Sequence, residues 1–181
     1  MSLPSVARDL RLSVVLGLAG AIGLGVARFG YALVVPDMRR SLGWSYADAG
    51  FMNTANAAGY LLGAFSAALV VRALGSFRTL MAGGGLLVVP LAPSGLTADF
   101  ALLSVARFLG GVGAAFGFVA GGVMAAAIAS RHARRGAFLL SLFYIGPGIG
   151  IFATGLLVPL LLDHMGPGSW PSAWLAMAGV A

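Results

Sequence analysis

Two arginines sit where charge is expensive. Arg28 lies in the apolar run GLGVARFGYALVV, residues 23–35, and Arg107 in LSVARFLGGVGAAFGFVAGG, residues 103–122. A full charge inside a bilayer-spanning helix costs about 2.5–3.5 kcal/mol on insertion scales, so such a residue normally faces a bundle interior or a wet cavity. Asn53 and Asn56 add neutral polar groups to a neighbouring apolar run, and Tyr144 stands in SLFYIGPGIG, residues 141–150. There Pro147 removes a backbone donor beside Gly146 and Gly150. A mid-membrane break of that kind suits a moving or binding element, with a static kink as the alternative. No catalytic set accompanies these residues. His132 and His164 lack partners at metal-ligand spacing, and no serine has a His–Asp arrangement. The glycine clusters lie in apolar runs rather than phosphate loops. Cysteine is absent, which removes thiolate and disulfide chemistry. Neither an enzyme nor a cofactor or metal site is expected.

The elements that must position these residues follow from composition. The chain has 181 residues, 60% hydrophobic and 9% charged, against about 25% charged in soluble domains. Its mean hydropathy is +0.98. Several runs exceed the roughly 20 apolar residues that cross a bilayer as a helix, and strand-like alternation is missing. The expected fold is an all-α polytopic transmembrane bundle. A polar lead, residues 1–10, precedes helices at about 11–35, 46–71, 79–96, 98–130, 137–162 and 172–181. Pro36 closes the first of these, and Pro90 and Pro93 kink or end the third. The last stops after ten residues, a rise of only about 15 Å. The chain is therefore expected to be part of a longer protein.

Arginine placement gives the orientation. With the N-terminus inside, the inner segments carry Arg8, Arg11, Arg72, Arg78, Arg131, Arg134 and Arg135, and the outer ones only Arg39 and Arg40, beside Asp37 and Asp48. That asymmetry fits a cytoplasmic N-terminus. No basic stripe with interleaved aromatics is present, so the net charge of +6 is read as topology rather than nucleic-acid binding. No cleavable signal peptide is evident. Abundant Ala, Gly and Arg without Lys suggests a GC-rich bacterial genome and hence an inner (plasma) membrane. Trp44, Trp170 and Trp174 fit an aromatic belt at the lipid interface.

Depth relates the polar residues to one another. Arg28 lies about 12 Å from the outer end of the first expected helix, and Arg107 at a similar depth in the fourth. Asn53 and Asn56 reach the same level from the second. These four could form one polar layer without a carboxylate, which would favour an anion or a carboxylate from elsewhere; backbone bonding or outward snorkelling is the structural alternative. Val-Ala-Arg-Phe occurs at 26–29 and again at 105–108, late in one helix and early in the other, and is read as coincidence. Small residues four apart, such as Gly17, Ala21 and Gly25, or Gly113, Gly117 and Gly121, let helix backbones approach closely in lipid.

Six helices with a cytoplasmic N-terminus and a tight basic loop resemble the N-terminal half of a major facilitator superfamily transporter. Arg107-x-Leu109-x-Gly111-x-Gly113 is similar to the arginine-glycine motif of that family's fourth helix. Gly146-Pro147-x-x-Gly150 resembles the glycine-proline motif of its proton-coupled antiporters, with Leu142 and Ile151 where that motif has glycines. The loop holding Arg72, Gly75 and Arg78 occupies the place of the family's charged loop motif. Gly75 matches, whereas Arg72 stands where the motif has aspartate and Ala68 where it has glycine. Residues 23–38, followed by AGFMNTANAAGYLLG at 49–63, resemble the YbfB/YjiJ-type branch. The resemblance implies a secondary transporter with about twelve helices, whose first and fourth line a central cavity. It implies a small-molecule substrate, an anion among the candidates, protons as candidate coupling ions, a lipid bilayer around the bundle and a second six-helix half beyond this chain. A non-transporting membrane scaffold or sensor is the alternative.

Overall fold

The computed structural model describes residues 6–181, and among them the chain is helical with no strand. Six helices follow in order: α1, Val6–Leu42; α2, Tyr46–Leu74; α3, Ser76–Val88; α4, Phe100–Ala129; α5, Gly136–Met165; and α6, Trp170–Val180. Four of them, α1, α2, α4 and α5, are long and apolar enough to cross a membrane. The chain is thus a helical membrane bundle. Large apolar side chains such as Phe65 (82% exposed) and Phe152 (74% exposed) face outward, as a lipid-solvated surface requires.

Local chemistry accounts for the helix ends. Ser45 and Asp48 form a reciprocal capping box that starts α2. Asp99 accepts from the Leu102 amide at 2.8 Å and caps α4. Gly75 adopts φ +82°, a conformation strained for any L side chain. It alone separates α2 from α3, so the expected loop is a one-residue corner.

Three boundaries differ from the sequence expectation. First, α1 begins inside the expected polar lead: residues 1–5 lie outside the described residues, but Arg8 and Asp9 are already helical. Asp9 is buried and lies 2.8 Å from His132 in the α4–α5 loop. Second, Pro36 does not end α1. The helix runs through it to Leu42 and stops at Gly43, which takes the left-handed conformation. Third, α3 gives way at Val89 and Pro90, and a single turn, Leu91–Ser94, follows. The prolines expected to kink or end the helix sit at that break.

The helix seams are glycine-lined. A Cβ at Gly59 would strike the Phe108 carbonyl, and one at Gly111 the Asn56 carbonyl, so α2 and α4 pack backbone to backbone. Gly83 and Gly113 do the same for α3 and α4, and Gly17, Gly25, Gly146 and Gly150 for α1 and α5. The core divides into two clusters. One surrounds Tyr31, Met38, Met52, Leu103 and Trp174; the other surrounds Leu16, Leu80, Ala120 and Phe143. Trp170 and Trp174 therefore do not form an interfacial belt: they are 6% and 1% exposed. The Trp174 indole N–H meets the Met38 sulfur at 3.4 Å, so tertiary packing supplies the polar partner that interfacial water would otherwise provide. Trp44 is half-buried and packs edge-on against Phe100.

Candidate functional site

The middle of α1 is not an ordinary α-helix. Residues Ala21–Phe29 form a π-helical segment, an arrangement that is rare, usually a single turn long and frequent at functional sites. Its last turn carries Ala27 and Arg28. Across from it, α2 fixes the rotation of α4, because the Asn56 side-chain amide donates to the Arg107 carbonyl at 2.8 Å. Gly111, one turn further along α4, lets the two backbones meet there. That seam turns the Arg107 side chain toward α1 and α6.

Arg107 is 5% exposed. Its Nη1 donates to the Ala27 carbonyl at 3.0 Å, and the guanidinium lies 4.6 Å from the Tyr31 ring and 5.7 Å from the Trp174 ring. The Tyr31 hydroxyl donates to the Ala49 carbonyl at 2.9 Å, which tethers the ring to α2. A charge-assisted hydrogen bond contributes about 1.5–3 kcal/mol and each ring contact about 0.5–2 kcal/mol. These terms match the insertion cost of the charge. They do not satisfy the whole group, because Nε and Nη2 are buried without a hydrogen-bond partner among the described residues.

Arg28 packs over the Tyr60 ring at 4.5 Å and is half-buried. It lies within electrostatic range of Arg107, so the structure gathers Arg28, Arg107 and Asn56 at one level. The two Val-Ala-Arg-Phe segments meet there, through Ala27 and Arg107. A depth counted from Val35 starts seven residues short of the actual end of α1. The levels coincide nevertheless, because α1 and α4 cross at this point.

The other sequence candidates lie elsewhere. Asn53 is exposed and has no hydrogen-bond partner among the described residues. Tyr144 is 54% exposed and packs edge-on against Phe118 and Phe143, away from the arginines. Gly146 and Gly150 are pressed against the α1 backbone at Gly17 and Ala21, and the Pro147 ring lies against Gly20. Helix α5 continues unbroken through Pro147 and Pro159. Arg72 and Arg78 are exposed on either side of the Gly75 corner.

Arg39 and Arg40 form no ion pair with Asp37 or Asp48, their neighbours in sequence, among the described residues. Asp37 is buried and accepts from the Gly168 and Trp170 amides, both at 2.9 Å, while Asp48 bonds Ser45. Arg39 instead covers the Tyr46 ring at 4.1 Å, and Arg40 donates to the Pro36 carbonyl at 3.2 Å.

Sequence reasoning missed three contributors: Tyr31, Trp174 and the π-helical Ala27 carbonyl. Tyr31 had a signal, standing one turn beyond Arg28. Trp174 had none, since it lies 67 positions from Arg107. No group of three or more His, Cys, Asp or Glu side chains is gathered among the described residues. A family model described as "Uncharacterised MFS-type transporter YbfB" matches residues 20–181, which includes every residue of the arginine site. No curated protein matches the chain.

Proposed function

The chain belongs to the YbfB-type family of major facilitator superfamily transporters, and from that premise we propose that it forms the first six helices of a secondary transporter. That transporter carries a small solute across a bacterial inner membrane by alternating access, with the N-terminus in the cytoplasm and a second six-helix half completing the path. One observation carries the reading: Arg107 is a buried charge in an apolar bundle with two donors left unbonded. A purely structural arginine gains from bonding fully to its surroundings, whereas a binding arginine keeps donors in reserve. Arg28 and Asn56 flank it, and the smooth glycine seams allow helices to shift without side-chain interlock. Protons are the candidate coupling ion through the Gly146-Pro147-x-x-Gly150 segment. Among the described residues no aspartate pairs with Arg28 or Arg107, so the proton carrier would lie in the second half. The chain supports no enzymatic step in this reading.

Uptake by the full-length protein in proteoliposomes tests the proposal. Solute accumulation that collapses in Arg107→Ala and weakens in Arg28→Ala is the expected result. Accumulation unchanged in both variants removes these residues from the path, and no solute movement under any gradient favours the scaffold or sensor.

A further inference from the structure

The two unbonded donors of Arg107 are not an arbitrary pair. Nη1, on the Cδ side of the guanidinium, is taken by the Ala27 carbonyl. Nε and Nη2, left without partners, share the opposite edge and point their N–H bonds the same way. That edge is the fork that receives the two oxygens of a carboxylate in a planar, bidentate fashion. Tyr31 and Trp174 hold the guanidinium in place, and the Tyr31 ring is itself pinned by its hydroxyl. The fork is thus preorganised, which lowers the ordering cost of a ligand.

No carboxylate of this chain can fill it. The five aspartates are the only acidic residues. Asp9 meets His132, Asp37 meets the Gly168 and Trp170 amides, Asp48 accepts from the Ser45 amide and hydroxyl, and Asp99 caps α4. Asp163 is exposed near the end of α5. Tyr31 and Trp174 flank the guanidinium and the Arg28 charge lies within electrostatic range, so the surroundings favour an anion over a neutral group.

We propose that the Nε/Nη2 edge of Arg107 is a carboxylate-recognition site and that the solute of this transporter is an organic carboxylate. The inference rests on the transport reading for access, since Arg107 is 5% exposed and a solute reaches it only when the bundle opens. The carboxylate can also be supplied by a side chain in the second half, and the experiment separates the two sources.

The test uses the purified full-length protein and its tryptophan fluorescence, with Trp174 lying 5.7 Å from the Arg107 guanidinium. The probes are acetate, butyrate, octanoate and benzoate, each against its amide, with chloride and nitrate as ionic controls. Saturable change with at least one carboxylate, absent with its amide and at least tenfold weaker in Arg107→Lys, is expected. Lysine keeps the charge but not the fork. Circular dichroism confirms that Arg107→Lys is folded. Should it not fold, the wild type must still melt at higher temperature with the carboxylate than with the amide.

Equal responses to carboxylate and amide, a response to nitrate alone, or undiminished binding in folded Arg107→Lys overturns the proposal. No carboxylate response, with the full-length chain destabilised by Arg107→Lys, assigns the fork to an internal side chain and overturns the solute assignment. Arg107-dependent uptake of a neutral solute refutes the inference and leaves the transport reading standing. Carboxylate binding to a protein that moves no solute keeps the recognition site and overturns the solute assignment together with the transport reading.

Discussion

Replacing Gly111 with alanine tests whether backbone contact at the α2–α4 seam positions the arginine site. The added Cβ would overlap the Asn56 carbonyl and come within 2.8 Å of the Tyr60 amide nitrogen. Both neighbours are backbone, so no flexible side chain can yield. Overpacking of this kind costs typically about 1–3 kcal/mol. Gly85 provides the control: it is helical and exposed, and a Cβ placed there would meet nothing within 4 Å. Gly85→Ala should therefore gain about 0.5–1 kcal/mol of helix propensity. The two substitutions, chemically identical, should differ by roughly 1.5–4 kcal/mol, or on the order of ten- to several-hundred-fold in unfolding equilibrium. Unfolding of the full-length protein in mixed micelles, followed by circular dichroism, measures the difference. Equal stability of the two variants would refute the close approach of α2 and α4.

Asn56→Leu removes the side-chain bond to the Arg107 carbonyl; interhelical bonds in membranes average about 0.6 kcal/mol and reach about 1.7, and a loss in that range is expected by the same unfolding assay. Asp37→Asn replaces a double acceptor with a group that can accept from only one of the Gly168 and Trp170 amides. An unpaired buried donor costs about 1–3 kcal/mol, so faster hydrogen exchange is expected at residues 168–174. Because these 181 residues hold no cysteine, single cysteines placed among them report orientation once any cysteine of the second half is replaced. A cysteine at Ala133 should react with a membrane-impermeant maleimide only after the cells are opened, and one at Ser169 in intact spheroplasts; the opposite pattern would invert the topology.

Much of this molecule is legible along the chain. Composition and run length give a helical membrane protein, because lipid leaves backbone groups no partner outside a helix or closed barrel. The helix caps are equally local: Ser45 and Asp48, or Asp99, act within one turn. Arg28 and Arg107 announce themselves because the cost of a buried charge depends on its surroundings in sequence as well as in space. What only the tertiary structure decides is where those side chains point and what meets them. Pro36 reads as a terminator, yet α1 passes through it. Trp170 and Trp174 read as interfacial, yet they fill the core beside Met38 and Tyr31. The π-helical turn of α1 leaves no mark in composition. Arg107 shows the division most clearly. Its presence in an apolar helix is a one-dimensional fact. The bonded Nη1 and the free Nε/Nη2 edge exist because α1 and α6, remote in sequence, converge on a single guanidinium whose helix α2 holds in register.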